Sequence, residues 1–337
     1  MSSMELPSVG GSRRRLRHLV DVTAAKLMRP RHAADESAAA TLRVKGASAA
    51  LTAADLMLGC AFNKPDRAGS LRLVGRSDAI ATVATALRLG VKAIDTAPLY
   101  GAGRSEEYIG DALVSVGLGA TAGVRVWSKA GVVIRRFEQL SMSDPPLPLS
   151  YEGTRALIRD YSHPMARRCL VESLMRLRVP SLTGLRIHGP NRSDRVNVEG
   201  QGVREKMTVS GVEQSLSDDG MLRGLVELRE AGEIEEASLG LQCHDAASVA
   251  SMLPLLLRPQ PGTVQSALVA GGYNLLNQEA LPMFIEAERL GIEIHNAGVF
   301  SSGLLAGGVT VYASSGSKPT KELQALASGW AKVRHTY

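Results

Sequence analysis

Cysteines and aromatic residues are scarce in this sequence, and long apolar runs are absent. Cys60, Cys169 and Cys243 stand far apart and form neither a CxxC pair nor a zinc-type cluster, so neither a disulfide framework nor a metal site is indicated. No stretch is apolar over the ~20 residues that cross a bilayer. With 45% hydrophobic and 21% charged residues in a chain of 337, the composition is typical of one soluble barrel-sized domain in a reducing compartment.

The positive charge is concentrated at the N-terminus. Of the formal net charge of +6, residues 1–50 supply most, with seven Arg and two Lys against four acidic residues. Charged segments of low hydrophobicity often stay unfolded, and we interpret residues 1–40 as a disordered basic extension. A mitochondrial import signal is the alternative, weakened by acidic residues such as Asp21. We therefore expect a cytoplasmic protein that binds neither nucleic acid nor membrane, with mitochondrial targeting kept as the alternative.

From about residue 55, short β-type runs alternate with amphipathic helical stretches. This alternation predicts βα units around a parallel sheet. Gly90, Gly232 and Gly291 each end a helical stretch just before a strand, where a left-handed cap needs no Cβ. The polar stretch 190–220 is predicted to be a long loop. The predicted strands are 56–60, 93–96, 125–129, 185–188, 237–241, 264–269 and 292–296.

Four polar residues lie at or near the ends of these predicted strands. Asp95, Lys129 and His188 end or nearly end strands, and Tyr100 follows Asp95 by five residues. In a parallel barrel such ends meet at the active-site rim. A carbonyl that accepts a hydride needs a proton donor, and a Tyr hydroxyl with an ordinary pKa of ~10 serves when an ammonium lowers its pKa. Each residue alone also has a structural explanation, as a loop cap, a snorkelling lysine or a core histidine.

The segment around Asp95 resembles a known family. DTAPLYGAGRSEEYIGDAL, residues 95–113, closely resembles the signature of aldo-keto reductases, and VWSKAG and RIHGP follow in the order of that family. The resemblance covers residues 41–330. It implies a (β/α)8 TIM barrel domain over residues 41–337, an α/β fold with NADP or NAD as cofactor.

The resemblance also implies roles for the four residues. Tyr100 would be the general acid or base, Lys129 would favour its phenolate, Asp95 would hold the lysine charged, and His188 would bind the substrate oxygen. Such an enzyme is an NAD(P)-dependent oxidoreductase that interconverts an aldehyde or aldose C1 with its alcohol or lactone. It would act as a monomer or small homo-oligomer on a small-molecule aldehyde or sugar.

Three further segments resemble one branch of the family. DYSHPMARRCLVESLMRLRV, GGYNLLNQ and NAGVFSSGLLAGG are similar to dehydrogenases of D-threo-aldoses, L-fucose and galactose, which act in carbohydrate metabolism. Pyridoxal oxidation is a close variant of the same chemistry. The substrate within this range stays open.

The sequence departs from the family at its cofactor contacts and at its end. Where family members hold the nicotinamide carboxamide with Ser, Asn and Gln, this chain has Gln242 followed by Cys and His. The cofactor contacts expected here are therefore Gln242, Phe300, Ser301 and Gly303, and the expected substrate contact is Phe62. After the seventh strand a helix-like segment runs to the last residue, so the barrel is predicted to lack its eighth βα unit. A catalytically weak barrel acting as a binding or regulatory subunit is the alternative that this absence favours.

Overall fold

The computed structural model describes residues 19–23, 52–65, 71–121, 123–136, 150–151, 155–190, 195–198, 202–205, 211–306 and 319–336. Strands and helices alternate through most of these ranges. The strands are β1 (Leu19–Thr23), β2 (Leu56–Gly59), β3 (Asn63–Pro65), β4 (Leu71–Leu73), β5 (Ala93–Asp95), β6 (Arg125–Ala130), β7 (Val132–Arg136), β8 (Ser150–Tyr151), β9 (Arg155–Arg159), β10 (Leu182–His188), β11 (Arg195–Val198), β12 (Gly202–Glu205), β13 (Ile234–Gln242), β14 (Ser266–Ala270) and β15 (Glu293–Ala297). The helices are α1 (Arg76–Arg88), α2 (Arg104–Thr121), α3 (His163–Leu177), α4 (Gly211–Leu216), α5 (Met221–Glu230), α6 (Ala246–Leu257), α7 (Leu281–Leu290) and α8 (Lys321–Thr336).

Eight parallel strands form a closed barrel in the order β1-β15-β14-β13-β10-β6-β5-β2. The seven strands predicted from the sequence are all present, and each pairs in parallel with its predicted neighbour. The fold is therefore the predicted (β/α)8-like barrel. The boundaries differ most at β10 and β13, which begin three residues earlier than predicted. The added residues include Gly184 in β10 and Glu235 and Glu236 in β13, residue types that are depleted in strands.

The eighth position in the barrel is taken by a strand from the N-terminal segment. β1 pairs in parallel with β15 through Leu19 and Val20, and with β2 over Val20 to Thr23. Residues 19–23 are thus strand, which corrects the expectation of disorder for this part of the basic extension; the rest of residues 1–40 lies outside the described residues. In the described chain after β15 no further strand follows, in line with the predicted lack of a C-terminal eighth unit. The two edges that this lack would leave unpaired are bridged by β1.

Side chains on the two faces of the barrel strands form two separate buried regions, one between the barrel and the helices and one in the barrel lumen. Successive side chains of a strand point to opposite faces, so one set packs outward against the helices in a large cluster that includes Leu58, Ile94 and Ile187. The other set fills the lumen, where Met57, Ala93 and Trp127 form a small separate cluster. Above that cluster the lumen side chains are mainly polar, and this polar layer lies just below the rim.

The glycines predicted to end helices do so. Gly291 follows α7 in the left-handed conformation with φ 69°, and its N–H caps the helix. Gly90 and Gly232 also have positive φ, 94° and 73°. A side chain at such positions would be strained.

The predicted long loop over residues 190–220 contains regular structure. β11 and β12 form an antiparallel hairpin, and α4 packs Val212 into the core before the next barrel unit begins. The prediction of a long loop is therefore wrong for these residues. The two strands form a separate two-stranded sheet and do not pair with a barrel strand, so the βα pattern of the barrel does not predict them.

Two features are absent from the described part of the chain. None of the described helices is long and apolar enough to cross a membrane. No group of His, Cys, Asp and Glu side chains there is arranged to hold a metal ion.

Candidate active site

The four residues singled out in the sequence meet at the carboxyl ends of three adjacent barrel strands. Asp95 is the last residue of β5, Lys129 the penultimate residue of β6 and His188 the last residue of β10. Tyr100 lies in the turn between β5 and α2. Because β5, β6 and β10 are consecutive in the barrel, the parallel register brings all four to one rim.

The Lys129 ammonium is buried and is bound by two acceptors. It forms a salt bridge with the Asp95 carboxylate and donates a second hydrogen bond, 2.8 Å long, to the Thr96 carbonyl. Lys129 and Asp95 are each 2% exposed. Burial by itself lowers the pKa of Lys129, but the nearby Asp95 and Tyr100 charges outweigh that effect and leave the pKa above its ordinary value. The lysine is therefore a permanent cation at neutral pH.

Tyr100 lies between this cation and the histidine. The Lys129 Nζ is 5.0 Å from the centre of the Tyr100 ring. The Tyr100 and His188 rings are 5.7 Å apart and nearly perpendicular, at 86°. Tyr100 is half-buried and His188 is 7% exposed. A phenol, an ammonium and an imidazole thus share one small region at the mouth of the barrel.

The backbone around the site is fixed by close packing. Tyr161 donates its hydroxyl hydrogen to the His188 carbonyl at 2.8 Å, which anchors the end of β10. The Tyr161 ring crosses Gly131, where a Cβ would come within 2.2 Å of the ring. The tyrosine therefore needs glycine at residue 131, whose φ of 105° also suits glycine.

Ser105 and Glu106, at the start of α2, form buried hydrogen bonds that the sequence did not indicate. The Ser105 hydroxyl lies 2.8 Å from that of Thr96 and donates to the Cys60 carbonyl. Glu106 is fully buried, accepts from Ser128 at 2.6 Å and pairs with Arg176 at 2.6 Å. These bonds connect α2 to β6, to α3 and to the residue that follows β2.

The predicted cofactor residues occupy the other arc of the rim. Gln242 ends β13 and is half-buried, while Phe300, Ser301 and Gly303 follow β15 in a tight turn. In that turn the amides of Ser301 and Gly303 donate to the Gly298 and Phe300 carbonyls, at 2.9 Å in both cases. Gln242 therefore neighbours the four-residue cluster, because β13 pairs with β10, whereas the turn after β15 lies two strands further around the barrel, beyond β14.

Phe62 is not placed at this rim surface. It follows β2 but is only 2% exposed and packs in the outer core with residues such as Val74. The expected direct contact with a substrate is therefore not supported by its position. Its φ of 49° shows that the backbone turns sharply there.

Sequence reasoning missed a set of polar lumen residues directly beneath the cluster. Arg186 is fully buried and donates to Asp95 at 2.9 Å, to Ser238 at 2.7 Å and to His295 at 2.5 Å. Arg186 precedes His188 by two residues, so strand alternation alone puts both on the lumen face. That spacing was the available signal for Arg186, whereas nothing in the sequence linked Ser238 and His295 to it.

Known protein sequences resemble this chain. The sequence profile described as the Aldo/keto reductase family matches residues 65–335. A pyridoxal 4-dehydrogenase from Microbacterium luteolum is 29% identical over 242 residues, which are 69% of this chain and 64% of that protein, or less than two thirds of its length.

A solved structure with a TM-score above 0.5 shares the fold at low identity. A glycerol dehydrogenase from Gluconobacter oxydans superposes with a TM-score of 0.53 at 19% identity, over 89% of this chain and 79% of that one. An aldo-keto reductase from Bombyx mori in complex with NADP has a TM-score of 0.48 at 16% identity, over 85% and 73% of the two chains. Since the family profile spans well over half of its residues, this chain belongs to the Aldo/keto reductase family.

Proposed function

We propose that this protein is a nicotinamide-dependent oxidoreductase that interconverts an aldehyde, or the C1 of an aldose, with the corresponding alcohol or lactone. One observation carries the proposal. A buried Lys129 ammonium, paired with Asp95, lies 5.0 Å from the ring centre of Tyr100. This is the arrangement that a phenol needs to exchange a proton near neutral pH.

In the reducing direction, the carbonyl carbon gains a hydride and the carbonyl oxygen gains a proton. Tyr100 donates that proton as the charge develops on the oxygen, and Lys129 stabilises the phenolate that is left. Asp95 keeps Lys129 charged and directed. His188, edge-on to Tyr100, donates a hydrogen bond that orients the oxygen. Water then returns a proton to Tyr100, so one hydride and one proton are consumed per carbonyl.

In the oxidising direction the same groups work in reverse. Tyr100 as phenolate removes the hydroxyl proton while the carbon loses its hydride. The Lys129 charge then favours the reactive form of the base before substrate arrives. The geometry serves both directions, so the ratio of oxidised to reduced cofactor would set the direction of net reaction.

The second arc of the rim suits a nicotinamide cofactor, either NADP or NAD. Its ring supplies or accepts the hydride. The Gln242 side chain, half-buried at the end of β13, has both a donor and an acceptor for a carboxamide. Phe300 offers an aromatic face in the turn after β15, beside Ser301 and Gly303. These residue types fit the ring and its amide from the side facing Tyr100.

The substrate class proposed is small and polar. Resemblance to sugar dehydrogenases and 29% identity to a pyridoxal 4-dehydrogenase both support compounds with a ring hydroxyl or aldehyde. Pyridoxal, L-fucose, D-arabinose and simple aldehydes therefore form the first panel. Each would be assayed with NADP and NAD, in both directions.

Replacement of Tyr100 by phenylalanine tests the proposal. Tyr100→Phe removes only the hydroxyl, so we expect turnover to fall by about 10²- to 10⁴-fold. NADPH binding, followed by nicotinamide fluorescence and by the rise in melting temperature that a ligand of the folded state causes, should persist. Tyr108→Phe is the matched control, because Tyr108 lies on α2 and packs against the outer core, and it should retain full activity.

Either of two results would contradict the proposal. Near-normal turnover in Tyr100→Phe would mean that another group moves the proton. Absence of any saturable binding of NADPH and NADH to the wild-type protein would favour the alternative, a barrel that serves as a binding or regulatory subunit.

A further inference from the structure

A fully buried arginine underlies the proposed proton-transfer site. Arg186 is on β10 with 0% of its side chain exposed. Its three donor groups bond side chains from three other strands: Asp95 on β5, Ser238 on β13 and His295 on β15. Placing a guanidinium in a protein interior costs free energy unless its donors are satisfied. Burial of the Arg186 guanidinium costs free energy, and each of its three nitrogens has a partner. Both facts indicate a functional role for this residue.

The carboxylate of Asp95 is shared between two cations. Its Oδ2 pairs with Lys129 and its Oδ1 accepts from Arg186 at 2.9 Å. With both oxygens held, the carboxylate plane cannot rotate without breaking a buried ion pair. Lys129 is thereby directed toward Tyr100, since Asp95 and the Thr96 carbonyl already take two of its three hydrogens.

The partners of Arg186 keep it charged and in place. An arginine side chain only donates hydrogen bonds, so His295 Nδ1, 2.5 Å from Arg186 Nη2, must accept. His295 is therefore neutral there, and burial, followed by the Arg186 charge, lowers its pKa. Ser238 accepts from Arg186 and donates to Ser266, which donates at 2.6 Å to Glu236 near the bottom of the lumen.

The charged and titratable groups of this layer come from five barrel strands. Lys129 on β6 and His188 on β10 adjoin the Tyr100 ring, and Asp95 on β5 pairs with Lys129, while Glu236 on β13 and Glu293 on β15 act electrostatically on Arg186. Because Asp95 is shared with Arg186, its negative charge offsets less of the Lys129 charge. A positive charge near Tyr100 stabilises its phenolate.

We propose that Arg186 is a positioning residue of the proton-transfer site, which clamps Asp95 so that Lys129 faces Tyr100 and adds the positive charge that favours the Tyr100 phenolate. The inference rests on the proposed function and deepens it. It makes the oxidative direction, in which Tyr100 acts as base, accessible at lower pH than Lys129 alone would allow.

The test replaces Arg186 and reads the titration of Tyr100 directly. In protein labelled with ¹³C at the tyrosine hydroxyl carbon, the Tyr100 resonance is the one of seven tyrosines that disappears in Tyr100→Phe. Arg186→Gln should move its titration to higher pH by about one unit. In oxidation assays the rising limb of kcat/KM against pH should move by the same amount, which is a loss of about tenfold at lower pH, with the high-pH plateau unchanged.

Two variants separate this role from general stability. Arg125→Gln removes an arginine that packs 5.0 Å over the ring of Trp127, the indole that Arg186 also approaches, at 5.4 Å, but Arg125 lies at the other end of β6. It should leave the Tyr100 titration unchanged. Arg186→Lys keeps the charge and a donor for Asp95 but loses the bonds to Ser238 and His295. It should therefore titrate within about 0.3 unit of wild type although it unfolds more easily.

The outcomes are distinct from those for the proposed function. Coincident Tyr100 titrations in wild type and Arg186→Gln would overturn the role of Arg186. A full-unit shift in Arg186→Lys would also overturn it, and this holds even where Arg186→Gln does not fold. Failure of the wild-type protein to bind a nicotinamide or turn over a substrate would refute the proposed function, yet the resonance titration would still decide for or against Arg186.

Discussion

At the scale of single residues, the four residues proposed for catalysis followed from the sequence and their supporting partners did not. Asp95, Tyr100, Lys129 and His188 were identified because their chemistry and order match one reaction. Arg186 was passed over because its role depends on residues more than fifty positions away, such as Ser238 and His295. Phe62 was expected at the substrate site, but a sharp turn after β2 directs it into the core.

The three cysteines provide a prediction at this scale. Burial raises the pKa of Cys169 and that of Cys243 to about 12, and Cys60 is buried as well. The thiolate is the reactive form, so none should react with iodoacetamide at pH 8.5 in the folded protein, and all three should react in guanidinium chloride. Because the unfolded thiols ionise near pH 9 and the folded ones do not, the stability that they contribute below pH 9 should be lost as the pH rises toward 12.

Mass spectrometry of the labelled protein would count the modified thiols. Rapid labelling of Cys169 or Cys243 in the native state at pH 8.5 would show that the interior behind β7 or after β13 opens readily, contrary to their burial in the structure.

At the scale of elements, the centres of the barrel strands were predictable and their surroundings were not. The β-type runs and the glycines before them mark local preferences that the tertiary structure keeps, as at Gly90 and Gly291. The hairpin of β11 and β12 was missed because the Ser-, Asp-, Gly- and Gln-rich segment around it is typical of a loop. Its strands do alternate valine with polar residues, but each is only four residues long.

The contact between α2 and α3 gives a prediction for helix packing. A Cβ on Gly110 would lie 2.7 Å from the Leu177 carbonyl oxygen and 2.8 Å from that of Arg176, and backbone cannot yield as a side chain can. Gly110→Ala should therefore lower the free energy of unfolding by about 1–3 kcal/mol. Gly329 of α8 is the matched control, since a Cβ there would meet nothing within 4 Å; Gly329→Ala should be neutral or stabilise by about 0.5–1 kcal/mol.

Denaturant unfolding followed by circular dichroism measures both variants. Equal midpoints for Gly110→Ala and wild type would mean that α2 and α3 are further apart than the structure has them.

At the scale of the whole molecule, barrel closure joins a strand from the N-terminal segment to the first and last of the other barrel strands along the chain. β1 lies between β15 and β2 and is paired on both sides at Val20. Proline at that position has no N–H and fixes φ, so it disrupts a strand bonded on both edges. We expect Val20→Pro to lower the melting temperature by several degrees and reduce cofactor affinity, because β15 leads into the turn that holds Ser301.

Val20→Thr, which keeps strand propensity, is the control and should melt close to wild type. Equal melting temperatures for Val20→Pro and Val20→Thr would mean that β1 contributes nothing to barrel closure. The N-terminal segment would then be dispensable to the barrel, as a disordered extension would be.

The sequence by itself determined the family, the repeating βα architecture and the four residues proposed for proton transfer, because local periodicity and one short motif specify them. Only the tertiary structure decided how the barrel closes and which residues support Lys129. Both depend on contacts between segments far apart in the chain. β1 pairs with β15, and Arg186 pairs with Asp95 and His295, only when eight strands enclose one lumen. The sequence of a single segment therefore does not predict these contacts.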